Sequence, residues 1–453
     1  YTFLSLMNKY LNMKQTFLPK SNDAIIGLLF ILVFASCSVS KQTQTNQPQK
    51  LAFLSNEIFA PAHVGVAVYD IAANTYLYNY QADKYFVPAS NTKIFTCYAA
   101  LKYLGDSLTG LLYTQEDSNY TVKFSGDPTL LHPDFKQHAI ADFFKTHANI
   151  TVVKSDFKDK RWGNGWAWND FDADYMPERS AAPVYGNVVS FKKTGNQLSV
   201  LPKLFKDSVT MYGNVQSGNF SIERDYNNNS FSLQNSNRKF TAIEIPFITS
   251  EALAIALLED SLKKPIDYLD ADAVTKTDWK KLKSQSTDSM LAPMMHRSDN
   301  FYAEQTLLMV SNEKLGVMND SKIIDTLLKT DLAGLPQKPR WVDGSGLSRY
   351  NLFTPMDFIW VLNQMKKEFS WNRIATIFPT GNTGTLSGYY KDYAGKIYAK
   401  TGTLSGQVAL SGFIIAKSGK ELIFSVLVNN HQTSASNIRR AVEAFLIDLI
   451  EKN

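Results

Sequence analysis

The sequence predicts an α+β protein in which helices and antiparallel strands are interrupted by a β-rich insertion. Three observations carry this. Alternating apolar and polar positions open the folded part and return near its end. Helical spacing of apolar residues occurs in separate blocks, with no βαβ alternation. Between residues 111 and 249 the chain turns to short alternating segments broken by Asn, Gly and Asp clusters. At 453 residues and 44% hydrophobic content, the chain exceeds one compact core and excludes a disordered or small-module protein. Lys and Arg total 47 against 42 acidic residues without a basic run, so charge gives nucleic-acid binding no support, although it suits an anionic polymer. A charged fraction of 20% argues against a coiled coil or an integral membrane protein.

The elements follow in order. Lys9, Lys14 and Lys20 precede an apolar run at residues 24–35 that is too short to span a bilayer comfortably, which is a signal-peptide profile. The run ends in Phe34-Ala35-Ser36-Cys37, which resembles the lipobox of bacterial lipoproteins; residues 1–37 would then be removed up to a lipidated Cys37. The competing reading is a buried core helix, disfavoured by the polar tether at 38–50. With Cys37 lipidated, Cys97 is the one cysteine left and no intrachain disulfide can form.

Residues 63–80 alternate around Ala72-Ala73-Asn74 and predict a hairpin. Pro88-Ala89 leads into Ser90, which opens a helix carried by Ile94, Cys97, Tyr98 and Leu101 and stopped at Gly105. Residues 120–124, 150–153, 197–201 and 231–233 predict strands of the insertion, placed at 111–249. Helical spacing returns at 251–263, 300–310 and 354–365. Residues 395–404, 410–416 and 421–428 read as an antiparallel sheet, covered by a last helix at 435–450. A first domain would thus comprise 51–110 and 250–453.

Six histidines lack His-Glu-x-x-His spacing or a close cysteine partner, so neither a zinc site nor any other metal is expected. No P-loop, dinucleotide fingerprint or Gly-x-Ser-x-Gly elbow is present, and no cofactor is expected. The chemistry is sought in serine and lysine. Ser-x-x-Lys places a hydroxyl and an amine on one helix face, close enough for an unprotonated lysine to take the serine proton. Seven such spacings occur, starting at Ser38, Ser90, Ser155, Ser190, Ser236, Ser261 and Ser311, so context decides. Only Ser90-Asn91-Thr92-Lys93 joins an incoming Pro88-Ala89 to an apolar helical face. Ser-x-Asn occurs at Ser217, Ser298 and Ser370, and Lys-Thr-Gly at Lys193 and Lys400. Ser298-Asp299-Asn300 precedes a helix and Lys400-Thr401-Gly402 lies on a predicted terminal strand, whereas Lys193 lies in the insertion.

With these motifs the chain resembles the penicillin-binding serine D-alanyl-D-alanine carboxypeptidase/endopeptidase family with large inserted domains. Further matching segments are Ser125-Gly126-Asp127-Pro128-Thr129-Leu130, Gly165-Trp166-Ala167-Trp168-Asn169-Asp170, Ala303-Glu304, Asp343-Gly344-Ser345-Gly346-Leu347-Ser348-Arg349 and Gly384-Thr385-Leu386. The resemblance implies a transpeptidase/β-lactamase-like catalytic domain. Ser90 would be the nucleophile and Lys93 its base, with Ser298 and Lys400 completing a proton and charge network, and with burial and the nearby charge of Lys400 both lowering the proton affinity of Lys93. It further implies that Asn300 holds the penultimate amide, that Lys400 and Thr401 face the terminal carboxylate, that Gly402 is also substrate-binding, and that the N–H groups of Ser90 and Thr403 form an oxyanion hole. Asp170 would meet the ammonium of the stem-peptide diamino acid, since Asn169 stands where the family commonly has an acid. Asp127 and Asp343 read as turn-fixing residues. The implied partners are peptidoglycan stem peptides, with β-lactams as covalent inhibitors and the membrane reached only through the lipid, in the periplasm or cell envelope. Two rivals are a β-lactamase, made less apt by the long insertion, and a non-catalytic muropeptide-binding lipoprotein, opposed by the complete Ser90, Lys93, Ser298, Asn300 and Lys400 set.

Overall fold

A computed structural model describes residues 52–194, 197–213, 221–234, 242–270 and 278–453. The signal segment, Cys37 and the tether lie outside the described residues. His63–Asp70 (β1) and Thr75–Tyr80 (β2) form the predicted antiparallel hairpin. Asn74 takes a positive φ of 53° in its turn, and Asp70 Oδ1 accepts the Ala73 N–H at 2.9 Å. The chain then passes through a 3-10 turn, Ala89–Thr92, into α1, Lys93–Tyr103. Ser90 therefore stands in the tight turn ahead of the α-helix.

Ser107–Glu116 (β3), Asn119–Phe124 (β4), Ala139–Thr146 (α2) and Asn149–Val153 (β5) begin a second layer. Val188–Thr194 (β6), Gln197–Leu201 (β7), Val209–Tyr212 (β8), Ser221–Arg224 (β9), Phe231–Gln234 (β10) and Ile243–Pro246 (β11) continue it, forming the small sheets β11-β6-β7 and β8-β10-β9. Glu251–Leu262 (α3) follows, with Ser250 accepting the Leu253 N–H as its cap. Asp267–Leu269 (β12) and Lys280–Ser286 (β13) then return to the second layer, in the sheet order β12-β5-β4-β3-β13. Strands of this layer thus extend to Ser286, past residue 249 where the sequence places their end. The layer has its own apolar core, from Leu111 to Ile266, filled by Ile140 and Phe144 of α2 and by Leu257 and Leu258 of α3.

Thr287–His296 (α4), Asn300–Leu315 (α5), Asp320–Lys329 (α6), Pro355–Glu368 (α7) and Trp371–Ile377 (α8) form a helical layer. Ile397–Leu404 (β14), Gln407–Ile415 (β15) and Glu421–Asn429 (β16) complete the main sheet, and Ala435–Lys452 (α9) closes the chain. The order β14-β15-β16-β1-β2 is antiparallel throughout and seats the first strand beside the last. Period-two alternation divides the sheet between two cores. On β16, Ile423 and Leu427 face the helical layer, while Leu422, Phe424, Val426 and Val428 join Ile438, Val442 and Leu446 of α9. The edge strand β14 is left to border the site.

Candidate active site

The turn carrying Ser90 is held from three sides. Asn91 Nδ2 donates to Ser411 Oγ at 2.7 Å, and Ser411 Oγ donates to Ser425 Oγ at 2.8 Å, which ties the turn to the main sheet. Thr92 Oγ1 donates to Ala89 O at 2.9 Å, with Ala89 itself at φ 49°. Two glycines let backbone approach. A Cβ on Gly402 of β14 would lie 2.6 Å from Pro88 O, and one on Gly346 would lie 2.0 Å from Ala89 O. Gly346 also takes φ 84°, so a side chain there is excluded twice.

Lys93, one helical turn on, is fully buried. Its Nζ lies 3.1 Å from Ser90 Oγ, 2.6 Å from Asn300 Oδ1 and 2.8 Å from the Ser345 carbonyl oxygen. The two carbonyl groups can only accept. A neutral amine has two N–H donors for them and one lone pair left for the Ser90 hydroxyl, the arrangement a general base requires. Burial pushes the Lys93 amine down to about 8 against the opposing pull of Asp343, Glu304 and Asp299.

Lys400 on β14 is also fully buried, and its Nζ donates to Ser298 Oγ at 2.8 Å and to Thr401 O at 2.7 Å. Burial first, then the charges of Lys93 and Arg439, hold it well below the usual lysine range. Burial is the main cause at both amines, and the repulsion between their charged forms acts on the pair. Ser298 takes φ 62° at the turn into α5, whose N-terminus Asp299 caps by accepting the Tyr302 N–H. Arg297 braces that turn through both nitrogens to Asp134 of the second layer, at 2.9 and 2.5 Å. Asn300 is engaged at both ends, since its Nδ2 donates to Tyr175 O at 2.9 Å.

A cleft of about 580 Å³ opens above these groups, lined by Ser90, Ser298, Asn300 and Thr403, and on the facing side by Gly165, Trp166, Ala167, Asp170 and Tyr175. The aromatic segment of the insertion thus reaches the serine. Trp166 anchors it by donating from Nε1 to Asp343 Oδ2 at 2.9 Å. Asp170 hydrogen-bonds the Tyr175 hydroxyl, which burial and that carboxylate together push up to about 12. Thr403 has its hydroxyl engaged by Arg439 Nη2 at 2.5 Å. Thr401 does not line this cleft; it borders a small apolar cavity with Leu410, Arg439 and Val442. Arg349, exposed in the cleft wall, is a cation that sequence reasoning gave no role.

Asp343 organises the loop opposite Ser90 by accepting from Gly346 N (2.9 Å), Ser348 N (2.7 Å) and Asn351 Nδ2 (2.7 Å), as a turn-fixing residue should. Asp127 likewise accepts the Thr129 N–H at 2.8 Å and bonds Ser284, away from the cleft. Sequence reasoning missed Glu304 and the Ser345 carbonyl as neighbours of Lys93, and Arg179 as the partner of Glu304. Their one signal was Ala303-Glu304 following Ser298-Asp299-Asn300. The decoys fall elsewhere: Lys193 is on β6 in the second layer, and Ser311 Oγ donates to Val317 O and Asn319 O. Cys97 is buried within α1, where burial drives its thiol up, away from reactivity.

A profile of the D-Ala-D-Ala carboxypeptidase 3 (S13) family matches residues 51–449. The D-alanyl-D-alanine carboxypeptidase DacB of Haemophilus influenzae is 24% identical over 445 residues, covering 87% of this chain and 91% of that protein. The D-alanyl-D-alanine carboxypeptidase of Actinomadura sp. strain R39 is 27% identical over 448 residues, covering 85% and 81%. The crystal structure of penicillin-binding protein 4 from Haemophilus influenzae superposes with a TM-score of 0.69 at 23% identity, covering 88% of this chain and 98% of that one.

Proposed function

Because the chain belongs to the D-Ala-D-Ala carboxypeptidase 3 (S13) family, we propose that it is a serine DD-peptidase acting on peptidoglycan stem peptides through an acyl-enzyme on Ser90. The observation that carries this is the Lys93 amine, buried 3.1 Å from Ser90 Oγ with its other two contacts on carbonyl oxygens. Ser90 Oγ attacks the carbonyl carbon between two D-alanines as its proton passes to Lys93. The N–H groups of Ser90 and Thr403 receive the developing oxyanion, each such donor contributing about 3 kcal/mol. The C–N bond then breaks, and the proton taken up by Lys93 passes through the Ser298–Lys400 pair to the leaving amine, which leaves Lys93 neutral again. Water, deprotonated by the same base, hydrolyses the ester and returns the proton to Ser90. Release of a terminal D-alanine and cleavage of a D-alanyl cross-link are the same chemistry with different leaving amines. β-Lactams acylate Ser90 in place of the peptide.

Arg439 and Arg349 give this end of the cleft a positive field suited to the terminal carboxylate, with the Lys400 amine as a donor and Thr401 and Gly402 shaping the strand behind it. Asp170 is the acid for the diamino-acid ammonium, and Asn300 positions both Lys93 and the penultimate amide. Residues 107–286 form the inserted module, and the remainder of 52–453 is the catalytic domain. A lipidated Cys37 would hold the enzyme at the surface of a membrane in the cell envelope; mass spectrometry of the mature N-terminus tests this, and an unmodified peptide starting beyond Cys37 removes the anchor.

A fluorescent penicillin should label the wild type stoichiometrically at Ser90, and Ser90→Ala should abolish the label without lowering the melting temperature. Label retained in that variant sinks the assignment. Mass analysis of digested muropeptides then reads the balance of terminal trimming to cross-link cleavage, while rapid turnover of the penicillin itself would reveal a β-lactamase instead.

A further inference from the structure

We propose that Glu304 is a positioning residue for Lys93: its carboxylate fixes the backbone that receives Lys93 Nζ and shapes the field in which that amine gives up its proton. The inference rests on the reading of Lys93 as the base. Glu304 projects from α5 one turn after Asn300 and is 1% exposed. Its Oε1 accepts the Ser345 N–H at 2.7 Å. The carbonyl of the same peptide unit, that of Gly344, accepts from Thr96 Oγ1 at 2.6 Å, so this peptide is clamped at both ends. The next peptide is clamped too: Ser345 O accepts Lys93 Nζ, and Gly346 N donates to Asp343 Oδ1. Two peptides held at four points present one carbonyl to the base, and Gly346 carries the same rigid segment against Ala89 beside the nucleophile.

The second oxygen of Glu304 is unlike the first. Oε2 is buried without a hydrogen bond, 3.6 Å from Arg179 Nη1. Arg179 is committed to Asp320 and Asp159 as well, so Glu304 receives only part of its charge. The charged groups acting on Glu304 are Arg179, Asp343 and Asp320, and those acting on Lys93 are Asp343, Glu304 and Asp299, with Lys400 close by. Burial and Asp343 push the Glu304 carboxyl up to about 8, beside an amine at about 8. The carboxylate form of Glu304 opposes loss of the Lys93 proton.

The test is the pH profile of penicillin acylation in the full chain. Glu304→Gln keeps an acceptor for the Ser345 N–H and removes the charge, so the profile should move to lower pH by about half a unit or more. Glu304→Ala also removes the acceptor and should slow acylation roughly tenfold at every pH. Thr96→Val frees the other end of the same peptide without touching charge, and should slow the reaction about threefold with the midpoint unmoved. A Gln variant whose profile superimposes on the wild type, or an Ala variant at the wild-type rate, overturns the proposal. Lys93→Ala separates it from its premise. If that variant acylates normally, the base assignment and the proposal fall together; if it is dead while the Gln profile is unshifted, the proposal alone falls. Should the Gln variant not fold, Thr96→Val decides: slower acylation at an unchanged melting temperature supports the anchor, and an unchanged rate overturns it.

Discussion

Lys93 works through what it is denied. Water is excluded from its amine, two of its three contacts are carbonyl oxygens, and the third is the hydroxyl it must deprotonate. An amine held at about 8 is mostly protonated at pH 6 and mostly neutral at pH 9. Only the neutral form takes a proton from Ser90, so penicillin acylation should rise about tenfold per pH unit below 8 and level above it. Stopped-flow acylation rates between pH 5.5 and 9.5 check this, and a flat profile would remove Lys93 as the base. Lys93→Ala should lower acylation by about 10²–10⁴, the usual contribution of general-base catalysis.

At the level of elements, β14 and the 163–170 segment face each other across Ser90, and each supplies a separable prediction. Lys400→Ala should weaken acylation strongly because Ser298 loses the amine that hydrogen-bonds it at 2.8 Å, whereas Lys193→Ala on β6 should be near neutral, as penicillin labelling rates will show. Asp170→Ala should reduce hydrolysis of peptides bearing a free side-chain amine and leave penicillin acylation almost unchanged, since penicillin lacks that group. Equal loss for both ligands would make Asp170 a support for Tyr175 and not a recognition group. These elements also show what was legible in the sequence. Ser90, Lys93, Ser298, Asn300 and Lys400 were readable because their motifs are local and ordered. The hairpin, the terminal strands and α9 were readable because each buries one face, which imposes a period. The return of the second layer to β3 was not, because β13 reads Lys-Lys-Leu-Lys-Ser-Gln-Ser, with one apolar residue to mark a strand. Glu304 and the Ser345 carbonyl were invisible as partners of Lys93 because three distant segments must fold together before they meet.

Across the whole molecule, the catalytic layers and the inserted layer keep separate main apolar cores, and they meet through a small apolar cluster of Phe157, Ala181, Leu308 and Met318 and through a buried polar contact. Arg179 is the centre of that contact. It is 2% exposed and is reached by Asp159 at 3.0 Å, by Asp320, and by Glu304 at 3.6 Å, while its Nε donates to Lys160 O at 3.1 Å. Three carboxylates converge on one guanidinium, and Asp159 is pushed up to about 6 by burial even with that cation present. Arg179→Met should therefore leave several buried acids without a counter-charge, and breaking such a cluster typically costs about 3–5 kcal/mol. The sign of its pH dependence is diagnostic. A carboxyl whose folded pKa lies above its unfolded value stabilises the fold at low pH and loses that contribution as pH rises through the folded value. Without Arg179 the values of Asp159 and Glu304 rise further, so the variant's deficit should be largest near pH 8 and shrink as pH falls toward 5. Urea melts of both proteins across that range measure it. A deficit independent of pH would assign Arg179 to packing, and a deficit that grows on acidification would contradict the convergence of charge at Arg179.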